Sequence, residues 1–580
     1  MVPTQRPDVF RTMGINPFET KPETQTSQLP SQKTMSNKIW ALGKSPIKIP
    51  ALSRWASSYP RADIGRELIL GFSNGFRIHY QGPRVSTFAK NLKSTVSHEA
   101  ETRVKINKEV ELGRISGPFT TLPISTLHIS PIGLVPKKNG TWRLITNLSY
   151  PLEGSINSFI DPNEASVQYS SFDKVVNMIS GLGKGALLGK MDIKSAFRLI
   201  PIHPSDFDLL GFKFKEEFYI DKCLPMGCSI SCSIFEKFAT FIEWVVMVKS
   251  KEKTLDHYLD DFLFAGKDGS ETCARLMRTF GEVCEEIGIP IAGEKTEGPK
   301  TVIIFLGLEI DTEQMIVRIP YEKQLALVSD INLVLLRNTK VTLKSLQSLT
   351  GSLSFYARAI PVARAFIRRM FNAMTGISKP FHLVRITSGI KEDLEMWLIF
   401  LKHFNGVCYI PETNWCPSDT LGLFTDSAGS SDLGCGALFG YKWSVFKWPC
   451  TWQKMPIMKD ITFLELVPIL LAVLTWRLEF RRKKIVFNVD NEALVTILNK
   501  KTSKSTRVMS LLRPLLICCM NNNIQFKAVH VAGVQNSAAD ALSRFQFSKF
   551  REGVPGADME PGQIPKDFLL YISTVKLTGC

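Results

Sequence analysis

The apolar positions of this chain change period several times, and each change predicts an element. His257-Tyr258-Leu259-Asp260-Asp261-Phe262-Leu263-Phe264-Ala265-Gly266 sets two adjacent carboxylates between apolar, β-prone flanks, which predicts strand, tight turn, strand. Ile132 to Ile145 predicts a second hairpin with Asn139-Gly140 at its turn. Gly189 to Phe197 predicts the end of a buried strand turning into a helix, with Asp192 at the strand end. Cys223 to Ser231 is a Pro/Gly loop that opens a helix. Charged residues over 98–113 predict a helix, as do the apolar patterns over about 270–287 and 320–405. The last of these carries Arg358, Arg364, Arg368 and Arg369. A strand pair is expected through Phe305 to Ile310. Asn405-Gly406, Pro411 and Pro417 then break the pattern, and a strand-rich block starts at Leu421.

Composition changes the picture at one end. Residues 1–60 hold eight prolines and thirteen serines and threonines, so a disordered or extended arm is expected there. Leu68, Ile69, Leu70, Phe72 and Phe76 suggest a small ordered extension after it. With 580 residues the chain exceeds one core, and roughly three to five domains are expected.

A net charge of +17 and a pI near 9.2 favour a polyanionic partner, nucleic acid or an anionic membrane. The longest apolar run, Phe463 to Trp476, has 14 residues and carries Glu465, short of the roughly 20 that a span needs. No membrane partner is expected. No signal-peptide core is visible, so an intracellular protein, in cytoplasm and/or nucleus, is expected. Its twelve cysteines then read as reduced thiols. Cys223, Cys228 and Cys232 lack the paired spacing of a structural zinc site.

Two adjacent carboxylates repel, so the Asp260-Asp261 turn makes sense if a divalent cation neutralises it. A solvated Asp-Asp turn is the plainer alternative. The surrounding residues favour the cation. Asp192 with Phe197, Leu224-Pro225-Met226-Gly227, Tyr258-Leu259-Asp260-Asp261, Lys295 and Leu306-Gly307 stand in the order of the palm motifs of reverse transcriptases. The resemblance runs from about residue 105 to 312.

That resemblance implies an α+β right-hand polymerase with fingers, palm and thumb. Asp192, Asp260 and Asp261 would hold two Mg2+ ions, with Mn2+ as a substitute, for phosphoryl transfer onto a DNA primer. It also implies a nucleotide pocket of Lys138, Arg143, Ile193, Phe197, Met226, Gly227 and Lys295. Phe197 would exclude a ribose 2′-hydroxyl, and Lys295 would protonate pyrophosphate. Met226 departs from the glutamine of retroviral enzymes, and Asn147 stands near an aspartate of gypsy-type and retroviral ones.

A second set of acids follows. Asp426 ends a strand, Glu465 lies on an apolar helix face, and Asp490 follows a strand. Asp540 comes ten residues after His530. A carboxylate on an apolar face needs a partner or a metal. In this order Asp426, Glu465, Asp490 and Asp540 resemble the two-metal site of ribonuclease H, in an α/β domain over about 421–545. The resemblance implies magnesium-dependent cleavage of the RNA strand of an RNA–DNA hybrid, and it assigns His530 to proton transfer or product release. Between Arg481 and Arg507 lie eight basic and two acidic residues, a plausible track for the hybrid backbone.

Asp426-Ser427-Ala428, Asp490-Asn491, Asn536 to Arg544 and Gly71 to Phe76 are most similar to the DIRS group of retrotransposons, in which a tyrosine recombinase follows. No recombinase, integrase, protease or Cys/His knuckle is recognisable before Cys580, so a truncated or separate reading frame is expected. The expected order is arm (1–60), N-terminal extension (61–104), fingers and palm (105–319), thumb or connection helices (320–405), linker (406–420), ribonuclease H-like domain (421–545) and tail (546–580). The expected partners are an RNA template, a DNA primer, the RNA–DNA hybrid and deoxynucleoside triphosphates. Two competitors remain: a catalytically inactive remnant that binds nucleic acid, and an RNA-templated RNA polymerase.

Overall fold

The computed structural model describes residues 39–575 except 138–139, 337–338, 407, 410–415, 482, 523 and 532–535. The chain divides into two compact units, with the boundary between Phe305 and Leu306.

In the first unit, helices α1 (Ile49–Ala56) and α2 (Ala62–Asn74) precede the charged helix α3 (Glu99–Glu111). Strands β1 (Ile132–Pro136) and β2 (Trp142–Thr146) form the basic hairpin. Then come β3 (Leu187–Asp192), α4 (Ser231–Ser250), β4 (Leu255–Tyr258), β5 (Asp261–Gly266), α5 (Thr272–Ile287) and β6 (Glu297–Lys300). Their sheet runs β6-β3-β5-β4 and is antiparallel throughout. Phe262 and Phe264 of β5 are fully buried, with Phe280 of α5 at 4.7 and 5.3 Å between ring centres. The sheet is therefore backed by α5, and its β3–β5 end is fixed by core packing.

Residues 39–60 correct the expected disordered arm. Ile47, Leu52 and Tyr59 are buried, and Tyr59 packs edge-on to Phe241 and Trp244 of α4 at 5.2 and 5.1 Å. Prolines and hydroxyls dominate the composition here, but a few large apolar side chains suffice to dock the segment. Residues 1–38 lie outside the described residues.

The second unit opens with β7 (Leu308–Asp311) and β8 (Ile316–Arg318), followed by helices α6 (Tyr321–Leu336), α7 (Leu343–Tyr356) and α8 (Ser388–His403). Strands β9 (Leu423–Ser427), β10 (Gly434–Phe439) and β11 (Lys442–Lys447) form an antiparallel sheet. After α9 (Ile461–Thr475) come β12 (Lys484–Val489), α10 (Thr506–Asn521) and β13 (Gln525–His530). Strand β12 pairs parallel with β13 and with the short strand Cys416–Pro417. Helices α11 (Ser537–Ser543), α12 (Phe547–Gly553) and α13 (Lys566–Ser573) complete the unit. The segment expected as a tail is thus folded as far as Ser573, with Phe550 and Phe568 buried against Trp443 and Phe446.

The helices over 321–403 share this unit with the strand-rich block, instead of being set apart by a linker at 406–420. Asp393 of α8, 1% exposed, accepts from Arg513 of α10 at 3.0 Å and from Arg369 at 3.1 Å. Arg513 also lies 5.3 Å from the Phe366 ring centre. No described helix is long and apolar enough to cross a membrane.

Candidate functional site

The first acid cluster is built by strand register. Asp192 ends β3 and lies directly opposite Asp261, the first residue of β5, while Asp261 also pairs with Tyr258 across the β4–β5 hairpin. This leaves Leu259 and Asp260 as a two-residue turn. Leu259 has φ 54°, a left-handed backbone that costs a non-glycine residue about 1 kcal/mol or more. Its side chain is only 6% exposed and packs in the main core, and burying a leucine contributes about 1.5–3 kcal/mol. Burial therefore offsets the strain, and the turn holds its shape from within. The Asp260 carbonyl accepts from the Ile193 N–H at 3.0 Å, which ties the turn to the residue after Asp192.

Lys295 Nζ donates to Asp192 Oδ2 at 2.7 Å. Burial works against the lysine's charge, but this bond and the charges of Asp192, Asp260 and Asp261 together hold its pKa above the ordinary value. Asp261 is pushed up to about 7, first by burial, then by its hydrogen bond with Asp192 and the charges of Asp260 and Asp192. Three hard carboxylates with mutual repulsion suit a divalent oxygen-seeking cation such as Mg2+. Lys295 sits on Asp192 itself, within the acid cluster.

Of the expected nucleotide-pocket residues, Ile193 directly follows Asp192. Ile193 is fully buried, and Phe197 packs edge-on to Phe235 at 5.7 Å between ring centres. Met226 is half-buried and Gly227 exposed, with φ 119° that only glycine adopts without strain. Arg143 lies exposed on β2. Lys138 lies outside the described residues. Neighbouring Lys137 has its pKa lowered by burial and by the charges of Arg143, Lys105, Lys295 and Lys108, so α3 adds cations the sequence did not single out. Asn147 is buried and caps its own turn by accepting from the Ser149 N–H at 3.1 Å.

The second cluster is tighter. Among the described residues, Asp426, Glu465 and Asp490 form the set of three acids whose ligand atoms all lie within 4.8 Å of one another. Asp426 comes from β9, Glu465 from α9, and Asp490 directly follows β12. Glu465 is pushed up to about 8, by burial first and then by Asp490 and Asp426, although Ser427 Oγ donates to it at 2.8 Å. Asp426 rises to about 6 by burial, against a hydrogen bond from Ser543 Oγ at 2.6 Å, with Asp540 and Asp490 raising it further.

Asp540 stands on α11, which approaches β10 closely because Gly436 has no side chain. A Cβ there would meet Leu542 Cβ at 2.4 Å. Asp540 accepts from Arg544 Nε at 2.7 Å. His530, at the end of β13, is exposed with Nε2 3.2 Å from the Asp490 carbonyl oxygen. The structure thus brings Asp426, Glu465 and Asp490 together, with Asp540 near enough to Asp426 for its charge to be felt there and His530 against the Asp490 backbone.

Sequence reasoning missed the residues that hold these groups in place. Arg198 binds the Cys223 carbonyl and Asn157 the Gly227 carbonyl, at the two ends of the loop that carries Met226. His257, three residues before Asp260, is buried between Glu236 and Glu243 of α4. Their partners lie far away in sequence, so no local pattern marks them.

Residues 135–310 match the family model described as reverse transcriptase (RNA-dependent DNA polymerase). Over 290 residues the chain is 25% identical to the Gag-Pro-Pol polyprotein of Mason-Pfizer monkey virus, covering 47% of this chain and 14% of that polyprotein. Over 450 residues it is 21% identical to the Transposon Tf2-3 polyprotein of Schizosaccharomyces pombe, covering 76% of this chain and 30% of that one. The chain thus spans less than a third of the length of either relative. A solved structure of the foamy viral protease-reverse transcriptase in complex with RNA/DNA hybrid is 15% identical, with a TM-score of 0.44, covering 88% of this chain and 64% of that one. Residues 135–310 form a reverse transcriptase domain, similar to those of retroviral and Tf2 retrotransposon polyproteins.

Proposed function

We propose that the chain copies RNA into DNA and cleaves the RNA of the resulting hybrid, as the polymerase and ribonuclease H parts of a DIRS-type retrotransposon acting inside the cell. The observation that carries this reading is the register of Asp192 against Asp261, with Asp260 in the adjoining turn, inside the reverse transcriptase domain. Asp192, Asp260 and Asp261 would hold Mg2+ (Mn2+ can substitute), and Asp426, Glu465, Asp490 and Asp540 would do so in the second cluster. When bound, the ions supply activation of the attacking oxygen and stabilisation of the leaving one.

The residues themselves do the rest. Lys295 carries a proton beside Asp192, near the position of a departing pyrophosphate. Phe197 and the Met226-Gly227 loop border the sugar and base of a deoxynucleoside triphosphate. Lys137 and Arg143 offer charge to its phosphates. His530 stands beside Asp490, placed to move a proton or help product leave. The excess positive charge favours the phosphate backbones of an RNA template, a DNA primer and their hybrid.

The test is primer extension on an RNA template with Mg2+, comparing deoxynucleotides with ribonucleotides, in the wild type, Asp260→Asn and Asp490→Asn. The reading requires deoxynucleotide incorporation that Asp260→Asn abolishes, and RNA cleavage that only Asp490→Asn abolishes. Tight hybrid binding without extension would instead identify an inactive remnant. Preference for ribonucleotides would identify an RNA polymerase.

A further inference from the structure

Each carbonyl of the loop Cys223–Gly227 has a donor within reach. Arg198 Nη1, whose two hydrogens are shared with the Asp221 carboxylate, lies 3.0 Å from the Cys223 carbonyl and 3.4 Å from the Leu224 carbonyl. Ser231 Oγ donates to the Pro225 carbonyl at 3.0 Å, and the Thr146 N–H to the Met226 carbonyl at 3.4 Å. Asn157 Nδ2 donates to the Gly227 carbonyl at 2.8 Å. Both ends of the loop are thus anchored from outside it, at Cys223 by Arg198 and at Gly227 by Asn157, although Gly227 itself is exposed.

The two outer anchors are themselves fixed. Asn157 Oδ1 accepts from the Ser229 N–H at 2.9 Å, Nδ2 also donates to Ser149 Oγ at 2.9 Å, and the Asn157 N–H bonds to the Leu148 carbonyl at 2.9 Å. Flipping the amide would set like groups against both Gly227 and Ser229, so this orientation alone satisfies the site. Arg198 is nearly buried. It binds Asp221 at 2.8 and 2.9 Å through Nη1 and Glu109 Oε2 at 3.0 Å through Nε. It directly follows Phe197, so one side chain links the aromatic ring to the start of the loop, while Asn157 fixes its end.

We infer that Asn157 and Arg198 are positioning residues that set the gap between Phe197 and Met226-Gly227, and so govern nucleotide affinity and the choice between deoxyribose and ribose. The inference rests on the polymerase reading above. The side-chain bonds of Asn157 and Arg198 go to the loop, to Ser149, Ser229, Asp221 and Glu109, and not to Asp192, Asp260 or Asp261, so chemistry itself would be spared.

The experiment is steady-state single-nucleotide incorporation by the full chain, with paired deoxy and ribo substrates. Asn157→Ala and Asn157→Asp are the leading variants, because Asn157 is only half-buried and its loss leaves no buried charge; Arg198→Lys keeps the charge but loses the fork. The expected result is a KM for the deoxynucleotide raised roughly tenfold with kcat nearly unchanged. The ratio of kcat/KM between deoxy and ribo substrates should shift several-fold, and the melting temperature of the Asn157 variants should stay close to that of the wild type. A lowered melting temperature with unchanged KM and unchanged sugar preference would overturn the inference, as would a fall in kcat alone. If the wild type incorporates nothing, the polymerase reading fails separately. Binding of a fluorescent deoxynucleoside triphosphate with Mg2+ then decides the loop's role: weaker binding by Asn157→Ala supports it, and equal or absent binding in both refutes it.

Discussion

Asp261 faces Asp192 across two antiparallel strands, and the pair is close enough for one carboxyl to hydrogen-bond the other. Register holds the two backbones opposite each other, so the carboxyls can part only by rotating their side chains. Replacing either one by asparagine keeps the shape and removes a charge. Asp192→Asn should therefore lower primer extension by on the order of 10²-fold or more, without lowering the melting temperature. Melting curves beside single-turnover extension will show it, and a fall in both would mean that the acid is structural.

The buried His257 predicts how stability depends on pH. Burial would lower its pKa, but contacts with Glu236 and Glu243 of α4 reverse this and raise it to about 9. Lys174 and Asp256 form an ion pair beside it, and Tyr59 feels Glu243. A folded pKa above the unfolded 6.5 means that the stabilisation is complete below pH 6.5 and is lost as pH rises through about 9. The shift corresponds to roughly 3 kcal/mol. Denaturation at pH 6 and pH 10 should show this loss in the wild type and a much flatter profile in His257→Gln.

The Asp393 carboxylate offers a test in the second unit. It is buried between Arg369 and Arg513, and burial pushes it up to about 6 in spite of both cations, Arg513 first. Asp393→Ala would leave Arg513 largely buried without its partner, at about 3–5 kcal/mol. Chemical denaturation of the full chain should show a lowered midpoint for the transition of this unit. A change under about 1 kcal/mol would show that water or another acid takes over.

How much of this was legible depended on whether chemistry or packing chose the residue. The placement of Asp192, Asp260, Asp261 and the acids at 426, 465, 490 and 540 on their elements could be read because carboxylates stand out against the flanking apolar residues that name those elements. Asn157 and Arg198 could not, since what matters is a carbonyl oxygen elsewhere, and any residue supplies one. The ordered stretch at 39–60 was hidden for another reason: its contacts are to Phe241, Trp244 and other distant residues, while its own composition resembles a linker. The boundary expected at 406–420 followed prolines and glycines, which report local bends and not which surfaces meet. The ion pairs of Asp393 decided that question.

The bond between Asp393 and Arg513 also bears on where this chain could be cut and rejoined. A recombination that swapped only the segment after residue 420 would separate the buried aspartate from its arginine, and the hybrid would inherit an uncompensated charge. A crossover near residue 306 would carry both partners together. The piece that keeps the pair whole would then be the strand-rich block with its preceding helices, and the two residues should change together or not at all.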